Sequence, residues 1–201
     1  MSQTNLEVEI KLPAHDLDAL RPQIERLGWR QLGPRTLEIN VLFDQEDNSL
    51  RAAGVVLRLR QYGDRRVLTY KGPGRNGKHK VREEIETTVG GLDAIQSIFA
   101  RLGFQPGFRY EKYRTEYTDD TGHLTIDETP IGNFLELEGP ADWIDQWAQR
   151  LGYQESDYIT LSYGRLYAAY CERQGLPIRH MVFAPGGIED GASVESPKDL
   201  R

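Results

Sequence analysis

Glu7-Val8-Glu9-Ile10-Lys11 is the stretch whose reading decides the fold. Side chains alternate across an extended strand, so Glu7, Glu9 and Lys11 share one face while Leu6, Val8, Ile10 and Leu12 share the other. The same register recurs at Arg58/Arg60, Lys80/Arg82/Glu84/Glu86, Lys112/Arg114/Glu116 and Glu136/Glu138. Five strands with charges in step call for one explanation.

By this parity the apolar face carries Val8, Ile10, Ile39, Val41, Leu57, Leu59, Ile85, Leu124, Ile126, Leu135 and Leu137, and amphipathic helices must cover it. The ionic face carries Lys11, Arg58, Arg60, Arg65, Lys71, Lys80, Arg82, Lys112 and Arg114 against Glu7, Glu9, Glu38, Glu84, Glu86, Glu116, Asp127, Glu136 and Glu138. A single solvated strand would carry mixed charges too. Repeated like-charge pairs at i, i+2 along many strands instead predict an α+β protein: a closed antiparallel β-barrel, or tunnel, of about eight strands with a charged lumen and helices packed outside.

Carboxylate clusters suit Mg²⁺ or Mn²⁺, and Mg²⁺ shares its coordination between one or two carboxylates, water and substrate phosphates. Rows of arginine and lysine suit the phosphates themselves. A lumen balanced in sign therefore matches a metal-triphosphate complex, whose own charges nearly cancel.

Composition is compatible with this. The chain has 201 residues, 38% apolar, with a net charge of −6, enough for one sizeable domain. An acidic chain without a basic tail argues against general nucleic-acid binding. Cys171 is the only cysteine, which excludes an internal disulfide and a cysteine metal site. With no signal-like start and no apolar run of membrane-spanning length, a cytoplasmic location is expected.

Helices are predicted from Leu17 to Leu27, Leu92 to Leu102, Ile144 to Leu151 and Tyr163 to Arg173, with Asp16 capping the first. Three of them end on Arg-Leu-Gly-aromatic, at Arg26 to Trp29, Arg101 to Phe104 and Arg150 to Tyr153, as a left-handed glycine cap would require. Strands are expected over residues 36–44, 55–61, 65–71, 80–89, 108–118, 122–128 and 133–139 in addition to the first. Residues 1–173 are read as the domain and 174–201 as a tail, with 185–201 disordered.

Gly72-Pro73-Gly74-Arg75-Asn76-Gly77-Lys78 has P-loop spacing, but His79 follows where Ser or Thr is needed, and strands flank it on both sides. It reads as a mobile hairpin turn. His15, His79, His123 and His180 lack ligand spacing, and Trp29, Trp143 and Trp147 read as packing residues.

Glu7-Val8-Glu9-Ile10-Lys11 is an ExExK motif, and the chain resembles the CYTH family, the triphosphate tunnel metalloenzymes. The resemblance extends in family order through Leu57-Arg58-Leu59-Arg60, Thr69-Tyr70-Lys71-Gly72-Pro73, Val81-Arg82-Glu83-Glu84-Ile85-Glu86, Lys112-Tyr113-Arg114, Ile126-Asp127-Glu128 and Leu135-Glu136-Leu137-Glu138-Gly139. It implies a triphosphate clamp of Lys11, Arg58, Arg60, Lys71, Arg82, Lys112 and Arg114. It implies metal ligation by Glu7, Glu9, Asp127, Glu136 and Glu138, with Glu84 or Glu86 in addition, and a catalytic role for Glu7, Glu9, Lys11, Arg58 and Arg60. Some members carry a lysine near the C-terminal helix, where this chain offers only Arg165.

The activity implied is Mg²⁺- or Mn²⁺-dependent hydrolysis of a small-molecule triphosphate. Two alternatives stand beside it: a class IV adenylyl cyclase acting on ATP, and a polyphosphate- or nucleotide-binding module. No nucleic-acid or membrane partner is expected, and a homodimer stays open.

Overall fold

The computed structural model describes residues 5–184. Its strands are β1 (Asn5–Pro13), β2 (Arg30–Gln31), β3 (Thr36–Gln45), β4 (Val56–Tyr62), β5 (Arg65–Lys71), β6 (Arg75–Asn76), β7 (Lys80–Thr88), β8 (Phe104–Thr118), β9 (His123–Thr129) and β10 (Gly132–Glu138). The helices are α1 (Leu17–Arg26), α2 (Ser49–Ala52), α3 (Leu92–Arg101), α4 (Ala141–Arg150) and α5 (Tyr163–Gln174).

Eight strands form an antiparallel sheet in the order β1-β10-β9-β8-β3-β4-β5-β7, and β7 pairs with β1 to close it. β1 is the closing strand, with Lys11 opposite Glu136 on one flank and Glu7 opposite Arg82 on the other. The short β2 and β6 lie off this ring, on β8 and β7. The barrel expected from strand parity is thus present, with two additional short strands.

The apolar side of β1, β9 and β10 packs beneath α1 and α4, where Ile10, Leu12, Ile126 and Leu135 meet Ile24 and Ile144. Burying each such side chain contributes about 1.5–3 kcal/mol. Asp16 caps α1 by accepting from the Ala19 N–H at 3.0 Å. α3 covers β3 and β4 more sparsely through Phe99 on Phe43 and Leu59. Coverage is incomplete: Ile85, expected under a helix, is 53% exposed, with Leu6 and Tyr70 exposed beside it, because among the described residues the helix-packed apolar clusters include no residue of β7.

Gly28, Gly103 and Gly152 have φ of 91°, 86° and 90° just past α1, α3 and α4, the left-handed caps the repeated tetrapeptide predicts. Trp29, Trp143 and Trp147 pack together, and Asp119 Oδ2 accepts from the Trp143 and Trp147 indoles at 2.8 and 2.9 Å. The segment read as a mobile hairpin turn joins β5 to β7 as expected and makes contacts of its own. Arg75 and Asn76 pair with β7, and beyond them Lys78 and His79 both reach Asp145 of α4 at 2.9 Å. Side-chain charge pairing compensates there for a backbone rich in glycine.

Past α5 the chain returns to the barrel. The Met181 N–H donates to the Arg109 carbonyl at 3.0 Å, the Glu111 N–H to the Met181 carbonyl at 2.8 Å, and the Met181 side chain is fully buried. Residues 185–201, read as a disordered tail, lie outside the described residues. Among the described residues, no helix is long and apolar enough to cross a membrane.

Candidate active site

Strand alternation turns Glu7, Glu9 and Lys11 of β1 into the barrel, where they are buried to 7%, 6% and 2% exposure. Side chains from β4, β5, β7, β8, β9 and β10 join them. They enclose a cavity of about 360 Å³, within the range usual for small-molecule sites. Glu7, Glu9, Lys11, Arg58, Arg60, Lys71, Arg82, Glu84, Glu86, Lys112, Arg114, Glu136 and Glu138 all line it, so the structure brings thirteen of the fourteen expected site residues together.

The lumen is an ordered lattice of ion pairs. On the β5-β7-β1 side, Glu7 accepts from Lys71 at 2.7 Å and Arg82 at 3.0 Å, Glu84 lies 3.0 Å from Lys71, and Glu86 lies 3.1 Å from Arg58. Toward the opposite wall, Glu136 pairs with Lys11 at 2.8 Å and with Arg114. Burial would raise the Glu9 and Glu136 carboxyls, but the ammonium and guanidinium groups around them outweigh it and hold both well below the usual carboxylate range.

Two glutamates escape that compensation. Burial, then the charges of Glu7 and Glu86, push Glu84 up to about 7 despite Lys71. Partial burial, then Glu7, Glu9 and Glu136, push Glu138 to about 7. Glu138 stands at the exposed rim of the lumen, where those three like charges oppose its ionisation. Lys80 is driven down to about 8 by burial and by Lys11 and Arg82, though it donates to Glu9.

These carboxylates fit a divalent cation. Glu138 lies directly opposite Glu9 in the β1–β10 register, and like charges placed so oppose folding unless something positive joins them. Among the described residues, Glu138 has no cation within 4.0 Å. Nor, among the described residues, do three His, Cys, Asp or Glu converge into a closed metal cage. An ion that shares its coordination with water and phosphate needs no such cage. Glu7, Glu9, Glu136 and Glu138 are the oxygen donors nearest to that requirement.

Asp127 is the residue the structure sets apart. Fully buried, it does not line the cavity but stands behind it. It accepts from Lys112 at 2.8 Å, from Arg114 Nε at 2.7 Å and Nη2 at 2.6 Å, and from the Tyr163 hydroxyl at 2.6 Å. Both oxygens are engaged by donors, so Asp127 anchors Lys112 and Arg114.

Glu38, Thr69, Tyr110 and Tyr163 meet the lumen's charged groups in ways that the sequence pattern does not specify. Glu38, fully buried, lies 3.4 Å from Lys112 and 3.9 Å from both Arg60 and Arg114, and accepts from Asn40 at 2.9 Å. Parity put Glu38 in the lumen but could not show which cations it gathers. Thr69 donates to Glu86 at 2.8 Å, and Tyr110 accepts from Arg58 at 3.3 Å. Arg165 is exposed on α5; the side chain that faces the lumen from this helix is Tyr163. Helical periodicity gives Tyr163 no mark that separates it from a core aromatic.

Comparison with known proteins agrees with this geometry. The CYTH domain family model matches residues 5–163. A candidate adenylate cyclase of Methanocaldococcus jannaschii is 32% identical over 134 residues, which cover 66% of this chain and 76% of that protein. In fold, the chain is similar to a candidate adenylate cyclase of Vibrio parahaemolyticus, with a TM-score of 0.73 at 21% identity over 80% of this chain and 97% of that one. It is also similar to a Hippeastrum protein described as a candidate adenylyl cyclase with a dominant triphosphatase activity, with a TM-score of 0.59 at 16% identity over 86% and 97% of the two chains. With its ExExK strand closing a barrel of inward charges and the family model matching most of its length, the chain belongs to the CYTH family.

Proposed function

We propose that this protein hydrolyses the terminal phosphoanhydride bond of a triphosphate with the help of a divalent cation. One observation carries the reading: lysines and arginines from β1, β4, β5, β7 and β8 surround a single cavity, each interleaved with carboxylates from neighbouring strands. Arg58, Arg60, Lys71, Arg82, Lys112 and Arg114 would hold the phosphate chain and stabilise charge that develops in the transition state. Water attacks the terminal phosphorus, the bridging P–O bond breaks, and orthophosphate and the shortened phosphate leave.

Glu7, Glu9, Glu136 and Glu138 would hold Mg²⁺ or Mn²⁺, with Glu84 in support. Such an ion supplies charge neutralisation on the phosphate oxygens. The chain's own glutamates also keep the cationic residues apart and correctly aimed before substrate arrives.

A cyclase has a specific observation in its favour, the name of the Methanocaldococcus relative. Against it stands the lining of the cavity. Leu32 and Val67 are its only aliphatic residues among the described ones, and Tyr62, Tyr110 and Tyr163 its only tyrosines, which leaves little apolar wall for a nucleobase. Incubation with tripolyphosphate or ATP and Mg²⁺ or Mn²⁺, followed by phosphorus NMR, separates the readings. Orthophosphate is expected; cyclic AMP with pyrophosphate would replace this proposal by the cyclase, and bound but uncleaved triphosphate by a binding module.

A further inference from the structure

The end of the cavity beneath Lys11 and Lys112 is built around one tyrosine. Lys11 and Ile159 exchange backbone hydrogen bonds of 2.9 Å in both directions, which ties the chain before α5 to the last turn of lumen on β1. Ser162 then caps α5 by accepting from the Arg165 N–H, and Tyr163, its first helical residue, faces the lumen. The Tyr163 ring centroid lies 5.1 Å from Lys11 Nζ and 4.9 Å from Lys112 Nζ. Phe134 and Tyr110 pack on the ring at 5.7 and 6.2 Å, and fully buried Leu166 belongs to the same apolar cluster.

On the triphosphatase reading, the geometry points to Tyr163 as the residue that sets how many phosphates the tunnel accepts. The two ammonium groups lie over the ring, and a terminal phosphoryl group stops against them. Beyond them stands an aromatic face, whose negative quadrupole repels an anion, backed by apolar side chains that offer no replacement for hydration. A chain one unit longer must leave a phosphate at the opposite rim, beside Glu138. A chain one unit shorter cannot engage the floor lysines and the Arg58/Arg60 row together.

The test compares pyrophosphate, tripolyphosphate and tetrapolyphosphate with Mg²⁺ for the wild type, Tyr163→Phe, Tyr163→Leu and Tyr163→Ala, with melting curves to confirm folding. The wild type is expected to favour tripolyphosphate over tetrapolyphosphate by about tenfold or more in kcat/KM. Tyr163→Phe keeps the ring and that ratio, while KM rises because Asp127 loses a donor. Tyr163→Ala, or the better-packed Tyr163→Leu if alanine does not fold, brings the ratio to within about threefold of unity, chiefly through the KM for tetrapolyphosphate. A wild type that cleaves tripolyphosphate but does not discriminate, or folded Leu and Ala variants with the wild-type ratio, overturns the role of Tyr163 alone. A wild type that neither binds nor cleaves tripolyphosphate removes the triphosphatase reading, and this inference with it.

Discussion

Replacing Asp127 by Asn tests whether the lumen holds itself together before any ligand arrives. The substitution keeps shape and one carbonyl oxygen but removes the charge that Lys112 and Arg114 share, and it turns an amide donor toward groups that only donate. Asp127 is fully buried and Lys112 and Arg114 are nearly so, at 3% and 9% exposure, so solvent cannot take over. Removing one partner from such a buried pair costs about 3–5 kcal/mol. For a domain of this size each kcal/mol lowers Tm by roughly 2–4 °C, so Asp127→Asn should melt about 6–20 °C below the wild type. The assay is thermal unfolding by circular dichroism, with EDTA present so that metal loss cannot contribute. A Tm within about 2 °C of the wild type in EDTA, with only a metal-dependent increment missing, would refute the anchoring role and return Asp127 to the metal ligands.

Glu9→Gln and Arg58→Ala should each lower kcat/KM for tripolyphosphate by about 10²-fold or more while far-ultraviolet circular dichroism stays native, and loss of the barrel signal in both would count against a site role. Glu84 sits near 7 when folded against an ordinary value of 4.5. The folded state therefore binds the extra proton, and the stability this lends below about pH 4.5 is lost as pH rises toward 7. Glu84→Gln should flatten the dependence of Tm on pH between 5 and 7.5 and raise Tm at pH 8; a slope unchanged by the substitution would refute the assignment. A Cβ on Gly122 would lie 2.5 Å from the Trp143 ring and 2.7 Å from the Glu138 carbonyl. Gly122→Ala should thus destabilise by roughly 1–3 kcal/mol in urea titration, with a blue-shifted or broadened tryptophan spectrum.

Much of this architecture is legible in the residues because a barrel imposes a period of two on every strand. Glu7, Glu9 and Lys11 already state which way β1 faces, and Lys112 and Arg114 repeat the statement on β8. Parity reaches no further than the face. Asp127 and Glu136 share the ionic face of adjacent strands, yet one is sealed behind the cations and the other lines the cavity. That difference arises from barrel stagger and from α5 packing at one end, both long-range properties. Tyr163 was hidden for a related reason: a tyrosine opening a helix looks alike whether it meets leucine or lysine. Ile85 shows the reverse failure, since an apolar face tells where a helix is wanted and not whether one comes.

The double pairing of β1 has a kinetic consequence. β1 precedes both of its partners in the chain and cannot complete either ladder until they exist: Glu7 awaits Arg82, and Glu9 awaits Glu138. Ring closure therefore depends on contacts of long sequence separation, which places folding on the order of milliseconds to seconds, with β7 and β10 both offering unpaired edges until β1 docks. A chain nicked or fused so that residues 5–13 dock slowly would spend that interval as an open, self-adhesive sheet.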